Sequence, residues 1–197
     1  MKQFLGMILL FLAFLPLAAQ EKEEETLFSG KVDYGWSIGS YAGLSIFEDQ
    51  ITIMNGFRVE WIISKNWFVG WQSYETLGSD LDAPISSEEE EISMDIKYRG
   101  LLAGRMFKSE KLIHWGLEGL VGWGSVDYHL KNGERDWKED YFFAAQPSVF
   151  AEVNVVSWFR IRGSAGYCFV QGVTMEGLDN YDLWGPVGGF TFRFGRF

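Results

Sequence analysis

The final ten residues, 188–197, read GGFTFRFGRF, and Phe190, Phe192 and Phe194 recur at every second position with Thr191 and Arg193 between them. That is the period of a β-strand with one apolar and one polar face. In water, a last strand gains little from three phenylalanines on a single face. A strand whose outer face meets lipid has a direct use for them. The stretch therefore reads as a closing strand with Phe190, Phe192 and Phe194 toward lipid and Arg193 turned inward.

The same alternation runs upstream. Val32, Tyr34, Trp36, Ile38, Ala42 and Leu44 share one parity, against Asp33, Gly35, Ser37, Gly39 and Gly43. A turn is expected around residues 47–55. Phe57, Val59, Trp61 and Ile63 then oppose Arg58 and Glu60, and Val69 and Trp71 oppose Gly70 and Gln72. After a polar segment over 75–91, Ile92, Met94, Ile96, Tyr98, Leu102 and Met106 alternate with Asp95, Lys97, Arg99, Ala103 and Arg105. Ile113, Trp115, Leu117, Val121 and Trp123 oppose His114, Gly116, Glu118, Gly122 and Gly124. Val149, Ala151, Val153 and Val155 oppose Ser148, Glu152 and Asn154. Phe159, Ile161, Ala165, Tyr167 and Phe169 oppose Arg160, Arg162, Ser164 and Cys168. Eight strands result, each near the length a tilted membrane strand needs. Pro147 lacks a ladder donor, which predicts a bulge or a late strand start there.

The connectors alternate as well. They are short at Ser64, Lys108 and Ser157, and longer over 75–91, 131–140 and 174–185, the asymmetry of short periplasmic turns and longer external loops. Bulky aromatics sit beside the short turns (Trp61, Trp67, Phe107, Trp115, Trp158, Phe159) and toward the long ones (Trp71, Tyr74, Trp123, Tyr128, Tyr141, Trp184), as two interfacial girdles. A soluble barrel with its apolar face inward would have to hold Trp36, Trp61, Trp71, Trp115 and Trp123 among dozens of others. An eight-stranded interior is only just wide enough for side chains to fill. The expected fold is thus all-β, an eight-stranded antiparallel up-and-down transmembrane β-barrel.

The start of the chain fits export. Met1-Lys2-Gln3 precedes an apolar run over 4–17 and then Ala18-Ala19, a secretory signal peptide in outline, too short to span a bilayer comfortably. The expected division is a removed signal peptide over 1–19, a periplasmic leader over 20–30 including the charged run 21–25, and a barrel over 31–197. Lys2 is the only charge in the first segment, so its removal takes the net charge from −10 to −11. Such acidity argues against nucleic acid as a partner. The single cysteine, Cys168, excludes an internal disulfide.

The runs YAGLSIFEDQITIMNGFRVEWIISKNWFVGWQSYE, SEKLIHWGLEGLVGWGSVDY and QPSVFAEVNVVSWFRIRGSAGYCFV, with the FRFGRF ending, resemble the hairpins of small outer-membrane proteins common in Bacteroidetes, barrels of the OmpA/OmpX-like kind. The resemblance covers nearly the whole chain after residue 30. It implies the fold, the outer membrane with its lipid and lipopolysaccharide, and handling by the barrel-assembly machinery, but no settled activity. In such proteins a terminal phenylalanine serves as an assembly signal, and Phe197 stands in that place. Its parity is opposite to Phe190, Phe192 and Phe194, so either Gly195-Arg196 breaks the register or Phe197 caps the barrel from below.

The face opposite the apolar one carries Arg58, Glu60, Lys97, Arg99, Arg105, Glu118, Glu152, Arg160, Arg162 and Arg193. Ions in a cramped interior must be paired, so an Arg–Glu network that plugs the barrel is expected. The function this favours is structural or surface-interacting, through the external loops. A narrow conduit or binding site for small solutes or apolar ligands is the alternative. A lipid-modifying barrel enzyme is a remote third reading, with Ser125, Asp127 and His129 sharing one parity at a strand end but nothing marking a nucleophile. Two histidines and one cysteine supply no metal spacing. Glu88, Glu89, Glu90 and Glu91, with Asp80 and Asp82, lack the glycine turn of a calcium loop. No cofactor is expected.

Overall fold

The computed structural model describes residues 33–47, 50–77, 81–83, 92–130, 136–175 and 177–197. The strands are β1 (Tyr34–Phe47), β2 (Gln50–Ile63), β3 (Trp67–Thr76), β4 (Leu81–Asp82), β5 (Ile92–Phe107), β6 (Ile113–Leu130), β7 (Asp136–Val156), β8 (Phe159–Gln171) and β9 (Gly185–Arg196). Every pairing is antiparallel, in the order β3-β2-β1-β9-β8-β7-β6-β5, and β3 pairs with β5 to close the ring. The two residues of β4 only extend the sheet beside Met94 and Ser93. Eight strands therefore form a closed up-and-down barrel, which leaves no sheet edge unpaired in the ring. Residues 1–32, where the signal peptide and leader are expected, lie outside the described residues.

The closing strand joins both neighbours in register. Phe190, Phe192 and Phe194 pair with Ala42, Ser40 and Ile38 of β1 and with Gly163, Ile161 and Phe159 of β8. All three rings are exposed on the outer wall, whereas Thr191 and Arg193 between them are fully buried. The outer wall is apolar on the other strands too, with Trp36, Ile38, Phe57, Val59, Trp61, Val69, Leu101, Leu117, Val121 and Val149 all exposed. An exposed apolar surface of this extent on a closed barrel is a lipid-facing band.

The short ends are tight. Ser64 (φ 51°) and Lys65 (φ 61°) both adopt left-handed backbone between β2 and β3, the conformation that matches the twist of a two-residue hairpin. The far ends differ from expectation. Residues 47–55 do not form a broad turn: β1 and β2 pair as far as Phe47 and Gln50. The loop placed over 131–140 narrows to the residues between Leu130 and Asp136, because β6 and β7 run 18 and 21 residues. A tilted membrane strand needs ~9–11, so these hairpins extend beyond the bilayer, where backbone pairing no longer depends on lipid.

Pro147 also departs from expectation. Neither a bulge nor a strand start occurs there, and Pro147 pairs in register with Gly119 of β6. On the β8 side the ladder lapses between Ala145 and Ser148, and the register on either side is unchanged. The proline carbonyl points to that side, since a Cβ built on Gly166 would meet Pro147 O. Its missing N–H faces the same way, so the barrel absorbs one lost hydrogen bond instead of a kink. The register shift of β7 against β8 falls at Asn154–Val156, beside the short turn.

On β5 the two faces are the reverse of expectation. Ile92, Met94, Ile96, Tyr98, Leu102 and Met106 are buried inside the barrel, and Lys97, Arg99 and Arg105 point outward. The cause is space. β6 contributes Gly116, Gly122 and Gly124 to the interior, leaving room that the bulky side chains of β5 fill. Between Arg99 and Arg105 only Leu101 and Ala103 of β5 face outward, and both arginine stems are long enough to carry their charge away from an apolar wall.

Candidate functional site

The interior carries the chemistry of this molecule, and it is stacked in three tiers. Nearest the short turns lies an ionic cluster contributed by β1, β2, β6, β7, β8 and β9. Arg58 Nη2 bonds Glu60 Oε1 at 2.5 Å and Glu118 Oε2 at 2.9 Å. Arg162 bridges Glu118 (Nη1, 2.8 Å) and Glu152 (Nε, 2.8 Å). Arg193 donates to both Glu60 and Glu152 and, at 3.0 Å, to Ser37, whose hydroxyl donates to Glu60 at 2.7 Å. His114 Nε2 lies 3.0 Å from Glu152 Oε1, and Arg160 reaches the same oxygen at 3.2 Å. Thus Arg58, Arg162 and Arg193, all essentially inaccessible, balance Glu60, Glu118 and Glu152 charge for charge, with the half-buried Arg160 at the rim. Guanidinium forks suit this work because each can serve two carboxylates at once.

The pairs Arg58–Glu118 and Arg162–Glu60 join strands that are not neighbours, so these bonds cross the lumen. The Arg162 guanidinium is also held between the rings of Phe150 (3.7 Å) and Phe68 (4.9 Å). Those rings lie over glycines: a Cβ at Gly116 would come 2.3 Å from Phe150 Cζ, and one at Gly104 equally close to Phe68 Cζ. Below the cluster, Phe197 is partly buried, its ring 3.9 Å from the Arg160 guanidinium and 5.1 Å from that of Arg193.

The middle tier is aromatic. Tyr41, Tyr74 and Tyr98 contact one another at ring separations of 4.8 and 4.9 Å. Gln146 ties two of them, accepting from Tyr98 Oη at 2.7 Å and donating to Tyr74 Oη at 3.3 Å. Toward the long connectors the third tier is apolar: Met54, Met94, Ile96, Val126, Tyr128, Phe142, Ala144, Cys168 and Val170 are buried. Leu81, Met175, Leu178 and Leu183 close over it from the connectors, Leu183 belonging to a short 3-10 turn, Asn180–Leu183. Asn180 Oδ1 fixes this cover by accepting from the backbone N–H of Gly172 (2.8 Å) and Val173 (3.0 Å).

Of the ten charged residues expected inside, the structure brings together Arg58, Glu60, Glu118, Glu152, Arg160, Arg162 and Arg193. Lys97, Arg99 and Arg105 are not part of it. Arg105 lies outside at the short-turn rim, over Trp67 (4.9 Å) and Phe107 (5.2 Å). Lys97 reaches Asp127 at 3.5 Å on the outer wall near the other rim. Tyr74 and Tyr128, expected in the outer girdle, are interior residues. Their parity with Gln72 and with Gly124 was the signal that could have placed them. Ser125 and Asp127 face outward and Asp127 is engaged by Lys97, while the His129 side chain, residues 84–91 and Asp80 lie outside what the structure describes.

A closed ring, an apolar outer band and a filled interior define a small transmembrane β-barrel. Among solved structures the chain is similar to Neisserial surface protein A, at a TM-score of 0.63 and 8% identity over 84% of this chain and 99% of that one. Similarity extends to Ail, the attachment invasion locus protein of Yersinia pestis (TM-score 0.48, 14% identity, 82% and 97% covered), and to the outer membrane protein OprG of Pseudomonas aeruginosa (0.42, 10%, 82% and 95%). No protein-family model matches the chain and no curated protein sequence does. At this identity the first similarity shows the fold alone, that of small eight-stranded outer-membrane barrels.

Proposed function

We propose that this protein is a non-enzymatic barrel of the bacterial outer membrane, exported through a cleaved signal peptide over 1–19 and followed by a periplasmic leader over 20–30. Its role is structural or surface-interacting, exercised by the hairpins that extend past the bilayer among outer-membrane lipid and lipopolysaccharide. The observation that carries this reading is the filling of the lumen from rim to rim. Salt bridges cross it at one level, three tyrosines and Gln146 occupy the next, and an apolar layer with its cover closes the outer mouth. Such an interior favours a plugged scaffold over the conduit alternative. Purified protein in planar bilayers is expected to give no discrete, reproducible conductance steps. Regular unitary channels would overturn the plugged reading in favour of a solute path.

Phe197 has two separable parts in this proposal. In the finished barrel it caps the ionic tier beneath Arg160, and during biogenesis it is the signal read by the assembly machinery. Deleting Phe197 is expected to lower the membrane-inserted fraction in cells while refolding of the purified chain into detergent proceeds. Normal insertion in cells would sink the signal role.

A further inference from the structure

The charges that left the interior expectation form an ordered surface of their own. Cross-strand partners on the outer wall of β3, β5, β6 and β7 lie in rows. Leu101 pairs with Val121 and Trp71 in the apolar band. One row toward the long connectors, Arg99 pairs with Trp123 and Ser73; one further, Lys97 pairs with Ser125 and Glu75, and Ser125 with Tyr141. The next row is acidic throughout, Asp95 beside Asp127 beside Glu139. A cleft of about 420 Å³ opens across these rows, lined among others by Ser73, Lys97, Arg99, Trp123, Glu139 and Tyr141. Its size suits a small ligand group. Among the described residues no carboxylate lies within ion-pair distance of Arg99, although Glu75 and Glu139 line the same cleft.

Along β5 toward the long connectors the outward positions run Leu101, Arg99, Lys97 and Asp95, so apolar, then basic, then acidic, with Glu75 beside Lys97 and Asp127 3.5 Å from it. A purely anionic headgroup matches the basic row and is repelled by the acidic one. A zwitterionic headgroup whose phosphate sits next to the acyl region, with an ammonium beyond it, matches all three in sequence. Trp123, paired with Arg99 and exposed, is the kind of side chain that favours the membrane–water interface, and its ring lies 5.7 Å from that of Trp71. Tyr141 and Trp123 add aromatic surface of the kind that attracts an ammonium. Longer connectors mark the external side. We propose that this cleft binds the headgroup of a phosphoethanolamine-bearing lipid in the external leaflet, with phosphate at Arg99 and Lys97 and ammonium at Glu139. The proposal rests on the outer-membrane reading and deepens it by naming the headgroup class.

The test uses the purified full chain as exported, in detergent with equimolar phosphatidylethanolamine and phosphatidylglycerol of identical acyl chains, and native mass spectrometry to count retained lipid. Phosphatidylethanolamine adducts are expected to exceed phosphatidylglycerol about three- to fivefold, the effect of one interfacial charge pair. Arg99→Gln should lose both, and Glu139→Gln should bring phosphatidylethanolamine down to the phosphatidylglycerol level. Arg105→Gln, at the opposite rim, should leave the ratio unchanged. Equal or greater retention of phosphatidylglycerol by the unaltered protein, or a ratio that Glu139→Gln does not move, overturns the proposal. Mobility with and without boiling reports folding of each variant separately. A wild-type chain with no heat-dependent shift would instead defeat the barrel reading beneath it.

Discussion

Replacing Glu152 with alanine lowers the unfolding free energy of the barrel by about 3–5 kcal/mol, the usual effect of removing one partner from a buried ionic cluster. Glu152 accepts from Arg162, Arg193 and Arg160 and contacts His114. Its truncation leaves positive groups from β8 and β9 facing one another in a space closed to water. The loss follows from desolvated charge without a counter-ion more than from the lost contacts themselves. Urea unfolding of the protein in detergent, followed through its nine tryptophans, measures it. Lys65→Ala serves as the contrast. Its partner Asp33 is 3.3 Å away and both are exposed, so the change there stays within about 1 kcal/mol. Equal effects at the two sites would show that the central cluster is not a structural tie. Because the carboxylate is shared, changes at Arg162 and Glu152 should be strongly non-additive.

Phe192→Arg is the second large effect. Phe192 lies on the outer wall of β9 between β1 and β8, paired with Ser40 and Ile161. A cation placed on the lipid face of a barrel loses about 2–4 kcal/mol near the bilayer midplane, falling toward zero at the interfaces. The same substitution in detergent, where the belt adapts, should have a smaller effect than in bilayers. Folding into liposomes at stepped urea concentrations gives the comparison. Unchanged stability of Phe192→Arg in bilayers would mean that the three-phenylalanine stripe does not meet lipid.

The alternation was legible strand by strand because a period of two is a local property of extended backbone. Facing was legible wherever one side of a strand was clearly polar, as with Arg58 and Glu60 on β2 or Arg160 and Arg162 on β8. It failed on β5, where the apolar row Met94, Ile96, Tyr98 and Leu102 resembled a lipid face and the Lys97, Arg99 and Arg105 row resembled a lumen face. Strand chemistry alone does not assign an inside. The glycines of β6, Gly116, Gly122 and Gly124, already marked where the lumen had room, but using them required knowing that β5 and β6 lie side by side in that register. The hairpins beyond the bilayer were missed for a related reason. Outside lipid the sequence is no longer constrained to one apolar face, so polar residues there looked like loop.

By itself, then, the sequence determined that this chain builds a closed barrel with Phe190, Phe192 and Phe194 outside and Arg193 inside, since the period and the volume of so many tryptophans leave no other arrangement. Only the tertiary structure decided which charges meet. Arg58 and Glu118 are 60 residues apart yet bonded across the lumen, while Lys97 and Arg99, on a strand next to that of Glu118, stand outside on the barrel wall. Pairing across a ring depends on strand register and on the space left by opposing side chains, and neither quantity is carried by any one segment of the chain.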